Sequence, residues 1–155
     1  MKQVELFVKL LIPDNVAITA LHALERMGYK SLKKIERMDY YKFEVEKDDA
    51  KFAEEIKKVD ILVNANKHKA FNKLEDEKHD FFKVNVLVQS IEDDCQDLLS
   101  TLRDRLHFKN IRKMEQGVFW TLYLDVKSQR EANKLAEKIT KDLLMNEHYQ
   151  KYRIY

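Results

Sequence analysis

The chain has 155 residues and a mass of 18.6 kDa; 45% of its residues are hydrophobic and 36% charged, so it holds enough apolar material for a core. Two glycines and one proline exclude a collagen-like or Gly/Pro-rich disordered chain and favour long regular elements with few tight turns. Lys+Arg 29 against Asp+Glu 27 leaves an interspersed net charge of +2, which does not predict a nucleic-acid or polybasic membrane partner, and the lone Cys95 excludes an intrachain disulfide and a cysteine metal cluster.

The first strand is predicted over Val4 to Leu10, where Val4, Leu6, Val8 and Leu10 alternate with more polar neighbours. Charges interrupt this stretch, so no signal-peptide core is expected, and no later window reaches the length of a spanning helix. With the single cysteine this points to a reducing cytoplasm. A helix follows, capped by Asp14 or Asn15, with a stripe of Ile18, Leu21 and Leu24 and Gly28 at its C-terminal end. Two strands are expected near 31–38 and 40–46, joined by a turn. A second helix begins near Asp48 and carries Phe52, Ala53, Ile56 and Val59; an extended segment at 66–72 closes the series. Residues 72–80 are charged and read as a linker or solvated turn.

The same order then recurs. Phe82, Val84, Val86 and Val88 alternate in a strand. Ser90 and Asp93 are spaced like a capping box before a helix with Leu98, Leu99, Leu102 and Leu106. Strands near 110–116 and 118–126 follow. A helix capped by Ser128, with Glu131 three residues on, aligns Leu135, Ala136, Ile139 and Leu143, and residues 149–155 are extended. Residues 28–46 and 107–125 align without a gap at an offset of 79: Lys30/Lys109, Lys34/Lys113 and Glu36/Glu115 are identical, and Tyr29/Phe108, Leu32/Ile111, Tyr41/Trp120 and Val45/Leu124 keep their chemistry. We therefore expect two copies of one unit, 1–74 and 80–155. The order βαββαβ gives an α+β fold of tandem ferredoxin-like units, each with two helices on one face of an antiparallel sheet. Phe7, Tyr41, Leu87, Phe119 and Trp120 cannot all lie under the helices of their own copy, because alternate residues point to opposite faces, so the other face is not expected to be polar. The two sheets are thus expected to pack face to face as an intrachain pseudo-dimer.

The run Ala20-Leu21-His22-Ala23-Leu24-Glu25-Arg26-Met27-Gly28-Tyr29, followed by a basic strand pair, resembles the PurS family. So does Asp142-Leu143-Leu144-Met145-Asn146 followed by Tyr152-Arg153-Ile154, with a weaker echo in Asp60-Ile61-Leu62-Val63-Asn64. PurS is the small subunit of phosphoribosylformylglycinamidine synthase in purine synthesis. The resemblance implies pairing through sheets, no catalytic residues, no cofactor, and a bridge between a PurQ-like glutaminase and a PurL-like synthetase so that ammonia passes between them. It leaves open whether the fused pair dimerises again. The family's basic-x-Gly-Lys turn is divided here: Arg37-Met38-Asp39 keeps the arginine, and Gln116-Gly117-Val118 keeps the glycine. The partner-docking residues expected on that basis are Glu36, Arg37, Met38 and Asp39 in copy one, and Glu115, Gln116 and Gly117 in copy two.

Catalytic motifs such as G-x-S-x-G, a P-loop or H-E-x-x-H do not occur. The histidines His22, His68, His79, His107 and His148 lack metal-ligand spacing, Cys95 has no sequence-local histidine, and the acidic runs at Glu54-Glu55 and 75–77 read as solvated faces. Two alternatives compete. An RNA-recognition module shares the element order and stacks bases on third-strand aromatics, but Gln116 to Tyr123 departs from the required pattern. A small-ligand sensor is the other; the basic clusters Lys30-Lys33-Lys34 and Lys109-Arg112-Lys113 read more simply as solvated strand edges.

Overall fold

Where a hairpin was expected, the chain runs straight on. The computed structural model describes residues 1–75 and 80–155; the acidic run at 75–77, His79 and the middle of the expected linker lie wholly or partly outside the described residues. Its elements are β1 (Lys2–Leu10), α1 (Asn15–Arg26), β2 (Leu32–Val45), α2 (Asp49–Ile56), β3 (His68–Phe71), β4 (Phe82–Ser90), α3 (Gln96–Ser100), β5 (Ile111–Leu124), α4 (Gln129–Ile139) and β6 (Gln150–Ile154). α3 and α4 each continue into a π-helical turn, Thr101–Arg105 and Thr140–Leu144. The strands form one six-stranded antiparallel sheet in the order β3-β1-β2-β5-β4-β6.

β2 and β5 correct the two strand pairs near 31–46 and 110–126: each pair is one strand of 14 residues. A two-residue hairpin needs positive φ at one or both central positions. Among the described residues the positive-φ positions are Gly28, Asp48, Cys95 and His107, so neither Asp39 nor Gly117, the turn-prone residues at the two expected bends, adopts the φ a hairpin needs.

The chain divides into two compact units. One holds residues 1–12, 39–74 and 92–117; the other holds 13–38, the β4 region up to Ile91, and 118–155. Each unit therefore draws elements from both halves of the sequence. In the first, Val4, Leu6 and Val8 of β1 share a core with Phe43 and Val45 of β2, Phe52 and Ile56 of α2, Leu99, Leu102, and Ile111 and Met114 of β5. In the second, Val84, Val86 and Val88 of β4 share a core with Trp120, Leu122 and Leu124 of β5, Ala132, Ala136 and Ile139 of α4, and Ala17, Ala20 and Leu24 of α1. Since Val4, Leu6 and Val8 all point into the first core, α2 and α3 lie on one face of that unit's strands.

Local hydrogen-bond frames recur between the units. Leu11 N–H donates to Lys67 C=O and Ile91 N–H to Tyr149 C=O; Glu46 N–H donates to Asn110 C=O and Asp125 N–H to Ser31 C=O. The turn after the last helix repeats as well. The main chain of Asn64 takes up the Lys67 and His68 N–H groups and its side chain that of Asn66; Asn146 does the same for Tyr149, Gln150 and His148.

Helix ends follow the sequence in part. Asp14 caps α1, its carboxylate accepting from Val16 and Ala17 N–H. Ser128 caps α4, accepting from Glu131 N–H. The box expected at Ser90 and Asp93 does not form: Ser90 ends β4, and Cys95 stands at the N-cap of α3 with no side-chain cap bond. Ile18 is 42% exposed, and Ala17 and Ala20 take the buried stripe beside Leu24. Leu143 is likewise exposed, with Leu144 buried instead.

α1 closes with Tyr29 N–H on Leu24 C=O and Gly28 N–H on Glu25 C=O around a Gly28 φ of 101, the Schellman arrangement. His107 occupies the matching place with φ 64. A Cβ at Gly28 would meet nothing within 4 Å, so the backbone alone sets the cost of replacing it. Gly28→Ala should lower stability by about 1 kcal/mol, and His107→Gly should raise it by a similar amount. Urea melts of the two variants check this; shifts of the same sign would contradict it.

Tyr41 and Trp120 face their units' helices, Tyr41 packing against the first core and Trp120 lying within the second. Phe7, Tyr41, Leu87, Phe119 and Trp120 thus divide between the two faces, as their alternation along the strands requires. The residues one step out of phase (Phe7, Tyr40, Leu87 and Phe119) occupy the opposite face and are nonetheless almost wholly buried. The Phe7 and Tyr40 rings lie 5.5 Å apart, and Phe119 meets Tyr155 edge-on at 5.0 Å.

Candidate functional site

The seven residues singled out as docking positions lie in the middle of β2 and β5, not in turns. Glu36, Arg37 and Met38 belong to one unit; Asp39, Glu115, Gln116 and Gly117 belong to the other. An uninterrupted strand points neighbouring side chains to alternate faces, so the runs 36–39 and 115–117 are each split rather than presented as one loop.

In the unit holding residues 13–38, Arg37 reaches the loop after β1. Its Nε lies 2.9 Å from one Asp14 oxygen and its guanidinium terminus 3.2 Å from the other. This forked ion pair is charge-assisted and partly buried. Asp14 thus caps α1 and anchors β2 at once. Glu36 accepts a hydrogen bond of 2.6 Å from the Tyr123 hydroxyl and lies 3.5 Å from Lys34 Nζ.

The unit holding residues 92–117 repeats the latch with different chemistry. Gln116 donates from Nε2 to Asp93 at 2.6 Å, and Asp93 also accepts from Cys95 N–H at 2.9 Å. Asp14 and Asp93, like Arg37 and Gln116, stand 79 residues apart. The Cys95 and Gln116 hydrogen bonds hold the Asp93 carboxyl below the usual carboxylate range. Burial, with Asp93 close by, pushes the Cys95 thiol up, which makes it a poor nucleophile. Glu115 lies 3.8 Å from Lys42 Nζ. Asp39 is exposed and helps raise the phenol of Tyr41, whose pKa burial pushes up to about 12.

In the other unit Tyr29 donates to Asp142. Burial and that carboxylate push its phenol from 10.0 up to about 12. A raised folded-state pKa means that the neutral phenol is the form the fold prefers. Its contribution is fully present below pH 10.0 and is lost as pH rises through about 12. The melting temperature should therefore fall more steeply over this interval in the native chain than in Tyr29→Phe; parallel curves would contradict it.

Among the described residues, no group of three or more His, Cys, Asp or Glu is placed to hold a metal ion. Among the same residues, no helix is long and apolar enough to cross a membrane. Sequence reasoning missed Asp14 and Lys42 as the partners of Arg37 and Glu115, and Tyr123 as the partner of Glu36. The equal spacing of Asp14/Asp93 and Arg37/Gln116 was the signal that could have found the latch.

The fold defines a mixed α/β protein on an open antiparallel sheet, with polar mid-strand residues latched to the loop that follows a first strand. Residues 84–155 match the family model PurS, described as phosphoribosylformylglycinamidine (FGAM) synthase. Over this C-terminal segment the chain is similar to the PurS family. No curated protein matches the chain.

Proposed function

We propose that the chain is a non-catalytic PurS-like subunit made of two copies, 1–74 and 80–155, which bridges the PurQ-like glutaminase and PurL-like synthetase subunits of FGAM synthase in the cytoplasm. The family match over residues 84–155 carries this reading. The recurring hydrogen-bond frames support descent of both copies from one unit. The ATP and glutamine chemistry then belongs to the partners.

The docking residues of this reading are Glu36, Arg37, Met38, Asp39, Glu115, Gln116 and Gly117. Reversing the charge of Arg37 would also set two negative groups against each other at Asp14, so a gentler variant separates docking from folding. Gln116 already makes the latch bond in the other unit, and Arg37→Gln can keep that bond while removing the charge. In size-exclusion chromatography with light scattering, the chain mixed with the host's synthetase and glutaminase subunits, glutamine and nucleotide should form a stoichiometric complex. Arg37→Gln with Glu115→Ala should weaken it roughly tenfold, about 1.4 kcal/mol, with little change in melting temperature. Failure of the native chain to join either subunit would remove the bridging role. Unchanged affinity of the double variant would remove the docking residues alone.

The RNA reading loses its support. Phe119 is 0% and Trp120 6% exposed, and Tyr123 is buried, so these rings offer no face on which a base can stack.

A further inference from the structure

The turns that lead into β3 and β6 are each closed by a reciprocal pair of hydrogen bonds. Before β3, His68 N–H donates to Asn64 C=O at 2.8 Å, and Asn64 N–H donates back to His68 Nδ1 at 3.0 Å. Before β6, Gln150 N–H donates to Asn146 C=O at 2.8 Å, and Asn146 N–H donates back to Gln150 Oε1 at 2.8 Å. The frame is the same and the returning acceptor differs. A glutamine carbonyl accepts at any ordinary pH, whereas an imidazole nitrogen accepts only while it is unprotonated.

The donor to His68 is a main-chain N–H, which cannot reverse its role. Nδ1 therefore carries the lone pair, and the proton of the neutral ring sits on Nε2. A proton taken from solvent onto Nδ1 would set two donors against each other. His68 is only half-buried, so water reaches it. The bond closes the turn at the first residue of β3, an edge strand of four residues that pairs with β1 alone. Leu11 N–H on Lys67 C=O is the neighbouring tie. So short an edge has little else to hold it, and the least stable parts of a fold open first.

No carboxylate among the described residues forms an ion pair with His68 that would reward the protonated ring. Its partner on β1 is Leu10; Lys9 and Lys69 pair with each other and point to the opposite face. Lys67 precedes it, and Asp60 is the acid of the segment leading into the turn. On α2, which packs on β1, Glu54 and Glu55 are paired with Lys57 and Lys51, and Asp49 lies at the far end of that helix.

We propose that His68 is a proton-operated latch: protonation at Nδ1 opens the turn at 64–68 and loosens β3 from β1, while the Gln150 turn keeps hold of β6. The bond needs the neutral ring, so its contribution is present at high pH and lost as pH falls. The device belongs to one unit's own fold and does not depend on the bridging role.

Nuclear magnetic resonance on the whole chain tests it. At about pH 8 the His68 ring should carry its proton on Nε2, as read from long-range nitrogen–proton correlations. As the pH is lowered to about 5, the Asn64 amide proton should move upfield with the midpoint of the His68 ring. Exchange protection of amides 68–71 should drop about tenfold, or about 1.4 kcal/mol. Protection of Asn146 and of residues 150–154 should stay constant; His148 stands in that turn, but its ring accepts none of the turn's bonds. His68→Gln, which copies the Gln150 arrangement, should erase both responses at residues 64–71. An Nδ1-protonated neutral ring at pH 8, an Asn64 amide indifferent to the His68 titration, or unchanged protection of 68–71 would each overturn the proposal. So would an equal loss at 150–154, or a response that survives in His68→Gln. Should that variant not fold, the comparison of the two turns within the native chain decides alone.

Discussion

Residues 1–75 and 80–155, expressed as separate chains, should each fail to unfold cooperatively as monomers. An equimolar mixture should regain the helical and sheet signal of the intact protein. The reason is the composition of the two cores. Ala17, Ala20, Leu24, Leu32 and Ile35 from the first fragment are buried against Val86, Leu122 and Ile139 from the second. Leu99, Leu102, Ile111 and Met114 from the second are buried against Leu6, Phe43 and Phe52 from the first. A fragment alone exposes the apolar faces of at least one helix and half of a long strand, and each fully buried Leu, Ile or Phe contributes about 1.5–3 kcal/mol. Circular dichroism and light scattering of each fragment and of the mixture decide the matter. Two fragments that are each folded, monomeric and indifferent to one another would show that the cores are independent.

Leu24→Ala and Leu102→Ala should each destabilise the intact chain by about 3 kcal/mol. Both side chains are 0% exposed, one in each core. Each truncation removes buried methyl groups and leaves a cavity in an interior fixed by a sheet and helices, which places the loss in the upper part of the range for such changes. Urea denaturation measures it, with Trp120 fluorescence reporting the core that holds Leu24. Losses below about 1 kcal/mol would mean that these cores close around missing atoms far more readily than a packed interior does.

Much of the local structure was legible. The alternation of Val4, Leu6 and Val8, the caps at Asp14 and Ser128 and the stop at Gly28 are short-range signals, and each depends on residues within a few positions. The long strands were not legible as such. Alternation through Leu32 to Val45 reads the same whether the chain folds back after Arg37 or continues, because a period of two carries no information about a bend. Asp39 and Gly117 are both compatible with a turn, so turn chemistry did not speak against a hairpin either. The helix stripe failed at Ile18 for a related reason: hydrophobicity marked it as core, yet the helix turns Ala17 and Ala20, beside Leu24, to the buried side and leaves Ile18 exposed. The docking residues were chosen as turn residues, so their mid-strand setting and their ties to Asp14, Lys42 and Tyr123 depended on tertiary structure that the sequence pattern does not encode. The family resemblance, by contrast, rested on short runs of sequence, and it matched over residues 84–155.

The two latches carry one more consequence. Identical chains that associate must place every substitution at two sites, so a residue useful at one and harmful at the other is hard to keep. Here the aspartate after the first strand holds an arginine in one unit and a glutamine in the other. A single gene that encodes both versions escapes the symmetry imposed on a pair of copies. One latch can then change its charge while the other stays neutral, so the two need not evolve in step.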